Sequence, residues 1–398
     1  SSSDLAQTMS TDADGKTTTY YDYLIATTAT QLQRIYAEAS LAREAGLTLG
    51  EYQASVDSQI ESIITSAGSA GYADMMLKQA YGPGCTLGAV RELYENLYLS
   101  NKYSETKTGE ADVSAEALNA YYTENMDTID QVTYRAFSFS FSVSSTATAA
   151  EKEQAKTAAK TKADAFLADV GSEKDFQELA LAATAEDDRD TYKEKDGSLI
   201  KGRTYSGLTT PVGDWAFDKA RKAGDTSVLE NTTDYTVVYF IKREKPENLQ
   251  ASVRHILIAA KRDSATEAEL AQAKATAETI LAEITDEASF IERVRTYSED
   301  VPSIGDGGLY TGLDENSSYV TEFLDWAVDE TRKVGDTGIV QTDYGYHVMF
   351  FSGRTPAWEN TVRTILQDDA YEEFISDKLV NDARFNYTLN SFAMRFVI

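Results

Sequence analysis

The sequence predicts an α+β protein: a helical block, two tandem copies of a strand–helix–helix–strand module, and a helical tail. Three observations predict it. Apolar residues recur at helical spacing from Tyr20 to about Tyr122, and the spacing changes to strict alternation at Val132. A long stretch in the middle of the chain then returns further on, with the same flanking pattern. At 398 residues the chain exceeds one ordinary core, so several domains are expected.

Residues 1–19 are rich in Ser, Thr, Asp and Gly and are expected to form a flexible N-terminal segment. A helical domain is expected over 20–130. Leu32, Ile35, Tyr36 and Ala39 share one helix face. Val56, Ile60, Ile63 and Ile64 share another, after a capping box at Thr48-Leu49-Gly50-Glu51. Gly82-Pro83-Gly84 separates two helices, and Leu93, Leu97 and Tyr98 continue the helical pattern.

Val132 to Phe141 alternates as a strand does. Helices are expected from Glu151 to Val170 and around Phe176 to Leu181, and a second strand from Tyr235 to Ile241. The run Asp214-Trp215-Ala216-Phe217, continued by Gly224-Asp225-Thr226, recurs as Asp325-Trp326-Ala327-Val328 and Gly335-Asp336-Thr337. Thr233-Asp234-Tyr235 recurs as Thr342-Asp343-Tyr344. The two modules are placed at 131–246 and 247–354. In the tail, 355–398, Ile365, Ala370, Phe374, Leu379 and Val380 keep helical spacing, and this segment is expected to complete the helical domain.

A net charge of −28 leaves no basic stripe, which excludes nucleic acid as a partner and disfavours adsorption to an anionic membrane. The single Cys85 excludes an intramolecular disulfide. No apolar run approaches a membrane span, and no nucleophile elbow or phosphate-binding loop is present. The opening Ser1-Ser2-Ser3-Asp4 reads as a trimmed or mature terminus.

The chain has two histidines, His255 and His347, each inside an apolar strand-like stretch. Their surroundings form an ordered set: Arg254-His255-Ile256-Leu257, then Tyr297-Ser298-Glu299-Asp300, then the turn Gly305-Asp306-Gly307-Gly308. Glu322-Phe323-Leu324-Asp325-Trp326-Ala327, Val334-Gly335-Asp336-Thr337 and Thr342-Asp343-Tyr344-Gly345-Tyr346-His347 complete it. In this order and spacing the second module resembles the parvulin-type peptidyl-prolyl isomerases. The layout of the whole chain resembles extracytoplasmic foldases of the PrsA and SurA type, with a chaperone-like helical domain and parvulin-like modules built on four-stranded antiparallel sheets.

The resemblance implies isomerisation of X-Pro bonds in unfolded or partly folded polypeptide clients, with no cofactor and no metal. It implies a catalytic set of His255, Asp300, His347 and Thr342, the imidazoles forming a hydrogen-bonded pair. It also implies substrate-binding positions at Tyr319, Val320, Phe323, Tyr344 and Leu309. The family carries a Leu lining the proline pocket where Gly307 stands. Its absence is expected to weaken the seat by roughly 1.5–3 kcal/mol, with Leu309 as the candidate to fill the gap. In the first module Ala136 and Val238 stand at the histidine positions, and Lys195-Asp196-Gly197-Ser198 replaces the Gly-rich turn. That module is expected to bind or space rather than catalyse. The resemblance further implies a bacterial cell-envelope location, secreted or lipid-anchored upstream of this chain. Two other readings fit the same residues: a non-catalytic holdase or scaffold that retains the parvulin fold, and a binder of one specific partner.

Overall fold

The computed structural model describes residues 5–11, 14–15, 17–50 and 52–388. Glu51 of the expected capping box and tail residues 389–398 lie outside the described residues. Among the described residues the chain forms thirteen α-helices, two four-stranded sheets and one small hairpin. It divides into two compact units: 1–113 with 250–355 and 363–398, and 114–249 with 356–362.

In the first unit, β1 (Thr8–Thr11) and β2 (Thr17–Thr19) pair as an antiparallel hairpin inside the stretch expected to be flexible. Threonine makes up half of β1 and all of β2, and its branched Cβ favours extended backbone. Helix α1 (Tyr20–Glu44) begins at Thr19, which exchanges hydrogen bonds with Asp22 in a capping box. Then come α2 (Tyr52–Ala67), α3 (Ala70–Tyr81) and α4 (Leu87–Thr108). Gly82 ends α3 at a φ of 97°, where Gly-Pro-Gly announces a break.

The second unit contains α5 (Ala115–Ile129), β3 (Gln131–Ser140), α6 (Ala149–Ala168), α7 (Glu173–Ala183), α8 (Arg189–Glu194) and β4 (Leu199–Arg203). It ends with α9 (Thr210–Ala216), β5 (Thr226–Glu230) and β6 (Asp234–Glu244). The sheet order is β4-β3-β6-β5, antiparallel throughout. Period-two alternation sends Val132, Tyr134, Val238 and Phe240 to one face, under α9. Tyr235 and Val237 go to the other, under α6 and α7.

The second module repeats this plan in the first unit. It comprises β7 (Leu249–Ala259), α10 (Glu267–Ala282), α11 (Glu287–Tyr297), β8 (Leu309–Leu313), α12 (Thr321–Val328), β9 (Thr337–Thr342) and β10 (Gly345–Pro356). The order is β8-β7-β10-β9. On β7, Ala251, Val253 and His255 share a face; on β10, His347, Met349 and Phe351 share the same one. Ile256, Ile258, Val348 and Phe350 face α10 and α11. Burial on both faces explains why these strands read as continuous apolar runs.

The last helix, α13 (Ala357–Asn381), returns to the helical part. There Ala37, Ala39, Leu41 and Ala42 of α1 pack with Leu99 and Tyr103 of α4 and Tyr371 and Ile375 of α13. Of the face that carries Leu32, Ile35, Tyr36 and Ala39, only Ala39 is fully buried: Leu32 and Tyr36 stay 39% and 43% exposed. A close approach of three helices selects the small-residue face of α1 instead. At its centre the buried Glu38 accepts from the hydroxyls of Ser100 and, at 2.6 Å, Tyr371, and from Arg34 Nε at 2.7 Å. Burial, then Glu38 itself, pushes the Tyr371 phenol up.

Candidate active site

His255 and His347 lie on neighbouring strands with their side chains on one face, and the imidazoles meet Nδ1 to Nδ1 at 3.0 Å. The rings stack at a centroid distance of 5.2 Å. Both are buried. Backbone geometry fixes β7 here: the His255 N–H donates to Gly308 O at 2.9 Å, next to the paired Arg254 and Leu309 of β7 and β8. Gly308 adopts a φ of 73°, and a Cβ there would collide with the carbonyl oxygen of His255, so only glycine fits.

Asp300 reaches the pair because its motif neighbours tie the loop after α11 to β7. Leu257 N–H donates to Ser298 Oγ at 3.3 Å, Ala259 N–H to Glu299 Oε1 at 3.0 Å, and Glu299 N–H to Leu257 O at 2.9 Å. Asp300 Oδ2 then sits 2.8 Å from His255 Nε2. Ser303 Oγ and Tyr310 Oη donate to the same oxygen at 2.5 Å and 3.0 Å. Burial alone would raise this carboxyl, but hydrogen bonds from His255, Ser303 and Tyr310 outweigh it and hold Asp300 at about 2. The Tyr310 phenol moves up, through burial and then the Asp300 charge.

On the far side, Thr342 Oγ1 lies 2.8 Å from His347 Nε2, and the Tyr344 N–H donates to Thr342 Oγ1 at 3.1 Å. Burial, then repulsion from His255, pushes His347 down to about 4, so it is neutral at pH 7. One polarity satisfies every group. His255 donates from Nε2 to the carboxylate and accepts at Nδ1 from His347 Nδ1–H; His347 Nε2 accepts from the Thr342 hydroxyl. The carboxylate therefore sets the tautomer of both rings.

Above this chain lies a cavity of about 420 Å³, lined by His255, Leu257, Asp300, Tyr310, Ser318, Tyr319, Val320, Phe323, Tyr344 and His347. Phe323 stands edge-on to both imidazoles, 5.4 Å and 5.7 Å away, and Tyr310 is 5.0 Å from His255. Tyr319 and Tyr344 form an exposed rim. Of the residues singled out from the sequence, His255, Asp300, His347, Thr342, Tyr319, Val320, Phe323 and Tyr344 come together around this cavity. Leu309 does not line it. Tyr310 does, because consecutive residues of β8 point to opposite faces. Tyr310, Leu257, Ser303 and Ser318 were missed; the signal for Tyr310 was an aromatic two places after the glycine turn.

Gly307 also departs from expectation. With a φ of 63°, a Cβ there would press on Ile291 and Arg254, neither of which lines the cavity. No gap in the seat follows from that glycine, and Arg254 Nη1 uses the space to donate to the carbonyls of Asp306 and Gly307 at 2.5 Å and 3.0 Å.

The first module is corrected at one position. Ala136 matches His255, since its N–H donates to Ser198 O as that of His255 does to Gly308 O. Gly224 and Phe240 bond as Gly335 and Phe351 do, so counting back from Phe240 puts Thr236, not Val238, at the place of His347. The recurrence of Thr-Asp-Tyr does not follow the strand register. Ile200 stands at the place of Tyr310 and Val212 at that of Phe323, and the cavity over this face reaches about 1190 Å³.

Residues 235–354 match the family model of the PPIC-type PPIase domain. The match begins inside β6 and takes in the whole second module. No curated protein matches the chain. Among solved structures, a PrsA peptidylprolyl isomerase from Bacillus anthracis is 20% identical; 36% of this chain covers 64% of that one, at a TM-score of 0.21. Foldase protein PrsA from Streptococcus pneumoniae is 18% identical over 60% of this chain and 80% of that one, at 0.22. A structure described with the SurA-like chaperones of Campylobacter jejuni is 18% identical over 69% and 96%, at 0.21. Superposition at that level bears on neither the arrangement of the units nor the function. The family match, falling on the module that joins two imidazoles to a carboxylate beneath an aromatic cavity, identifies residues 235–354 as a parvulin-type peptidyl-prolyl isomerase domain.

Proposed function

We propose that the second module turns X-Pro bonds and that the chain is a foldase for unfolded polypeptide outside the cytoplasm. The observation that carries this reading is the chain Asp300–His255–His347–Thr342 at the floor of a ring-walled cavity. Turning the bond crosses a barrier of about 18–20 kcal/mol because amide resonance is lost. The planar amide has a larger dipole than the twisted one, so a seat out of water favours the twisted form. Phe323, Tyr310 and Tyr319 supply apolar walls for a pyrrolidine ring. Asp300 acts as the orienting group, and the imidazoles and phenol offer fixed dipoles beside the reacting amide. The step breaks and forms no covalent bond, so no nucleophile is needed.

The helical part, 20–130 with 355–398, would hold non-native polypeptide, and the first module, 131–246, would serve binding or spacing. A protease-coupled assay on short X-Pro peptides tests the enzyme. Turnover by the intact chain supports it. Absence of turnover, with suppression of client aggregation retained, would instead favour a non-catalytic holdase. An envelope setting, secreted or lipid-anchored, belongs to the same reading, and cell fractionation tests it.

A further inference from the structure

We propose that the cavity of the first module takes a carboxylate carried beside an apolar side chain on an extended polypeptide, held by Tyr134 and Arg203. This rests on the binding role proposed for that module and is independent of the isomerase reading. The two modules compare position by position along their strands. Tyr134 stands where the second module has Val253, and Arg203, paired with Val132, stands where it has Leu313, paired with Ala251. Val253 and Leu313 are 0% and 2% exposed and belong to an apolar core. The first module thus lacks the imidazoles but carries a phenol and a guanidinium where the second is sealed and apolar.

The local fold turns both groups toward one space. Ile200 and Arg203 are three apart in β4, a step that sends side chains to opposite faces of a regular strand. A register shift opposite Val132 and Tyr134, with Gly202 at a φ of 63°, brings both onto the cavity of about 1190 Å³. The Tyr134 ring is 5% exposed and lines that cavity, and among the described residues its hydroxyl has no hydrogen-bond partner. Burial pushes the phenol up, so it stays protonated and able to donate. Arg203 lies exposed on the wall, and among the described residues no carboxylate pairs with it. Acidic residues outnumber basic ones 65 to 37, so an unpaired guanidinium near an unpartnered phenol marks a place for an incoming acceptor.

The rest of the lining selects the ligand. Ala136, Leu208, Pro211 and Val212 add apolar surface to the same cavity. At the far end the Asp234 carboxylate accepts from Thr236 and Asn231 at 2.7 Å and 2.9 Å. The Glu230 carboxylate is engaged on the opposite face of the sheet, where it accepts from Tyr235 at 2.8 Å and pairs with Lys156 at 2.6 Å. Arg203 is opposite Val132 and Asp234 is opposite Ser140, about 26 Å apart along β3. A ligand's carboxylate is therefore drawn to one end and its N–H groups to the other. A chain of net charge −28 repels small free anions, and a phosphate more than a carboxylate, so apolar contact must supply part of the hold. An extended polypeptide supplies both, from an acidic side chain or from its own C-terminus beside an apolar residue.

The test is fluorescence anisotropy of labelled peptides with the full chain. One pair carries Leu-Val-Leu-Glu or Leu-Val-Leu-Gln internally, with an amidated end. The other ends in Leu-Val-Leu, as the free carboxylate or as the amide. In at least one pair the carboxylate form should bind about tenfold tighter than its neutral partner, and the pair that shows it tells an acidic side chain from a chain end. Tyr134→Phe and Arg203→Met should each remove most of that difference, Arg203→Lys should keep part of it, and His255→Ala should leave it intact. Equal binding within both pairs overturns the proposal. So does a difference that survives Tyr134→Phe and Arg203→Met, one that His255→Ala abolishes, or displacement by inorganic phosphate at lower concentration than by acetate.

Discussion

The two modules share a plan and differ in a face. In both, the sheet order is the same and an arginine on the first strand is tied to a glutamate at the start of a helix. Arg135 Nε donates to Glu173 at 3.0 Å, and Arg254 Nε to Glu287 at 2.7 Å. In both, an arginine stacks on the repeated tryptophan, Arg221 at 4.3 Å from Trp215 and Arg332 at 4.2 Å from Trp326. The site side chains have changed together. Where the second module has two imidazoles the first has Ala136 and Thr236, and Ile200 and Val212 stand in place of the aromatic walls. The vacated space is now lined partly by a small polar network, with Thr236 bonded to Ser138, Asn231 and Asp234. Frame and site are therefore separable: the same Arg–Glu contact recurs in both sheets, while the side chains on the face between them differ.

The largest effect should break that comparison on one side only. His255→Ala and Asp300→Ala are each expected to lower kcat/KM on X-Pro peptides by about 10²–10³-fold, through loss of the oriented dipoles. Thr236→Ala should leave kcat/KM unchanged. A drop with Thr236→Ala would relocate the activity.

Stability against acid should distinguish the modules next. A histidine whose folded pKa is depressed contributes stability that is complete above its unfolded pKa near 6.5 and is lost as pH falls through its folded value. For His347, at about 4, that window runs from pH 6.5 to 4. The loss should be on the order of 3 kcal/mol, read by urea unfolding. His347→Thr should flatten that part of the profile; an unchanged profile would mean that the ring is not held neutral. The Asp300 contribution lies lower, complete above about pH 4 and lost toward pH 2.

The shared frame should respond alike in both modules. Arg135→Met and Arg254→Met are each expected to destabilise by about 2 kcal/mol, since each strips partners from a mostly buried guanidinium site. Unfolding midpoints check this, and a cost confined to one module would show that the frame is not common. The smallest effect concerns rebuilding: Ala136→His with Thr236→His should give no turnover above background when His255→Ala silences the second module. Ile200 cannot donate as Tyr310 does, so no carboxylate is braced to set the tautomers. Recovered turnover would mean that paired imidazoles suffice.

Much of the site was legible in sequence because it rides on strands. A histidine at an alternating position of a strand has its face decided, and two such strands in one sheet bring His255 and His347 together. Asp300 was legible through Ser298 and Glu299, whose pattern anchors the loop. Tyr310 was not, because a register shift near Val253 and two positive-φ glycines decide which residue of β8 faces inward. Thr236 was misread because a short recurring triplet was matched instead of the hydrogen-bonded register. On α1, periodicity located a helix and one residue of its buried face, Ala39; the rest of that face is decided by small residues such as Ala37 and Ala42, which let other helices come near.

The carboxylate of Glu38 has a consequence for how the molecule comes into being. Its hydroxyl donors are Ser100 and Tyr371, so the last of them leaves the ribosome long after the acid itself. While the chain is still growing, the opening helices hold a carboxylate that lacks its Tyr371 donor and an apolar seam that α13 has yet to close. The isomerase module, whose strands all precede α13, is complete by then. Maturation of the helical part therefore waits for the final stretch of synthesis, and a product cut short before Tyr371 would own a complete second module and an unfinished helical part.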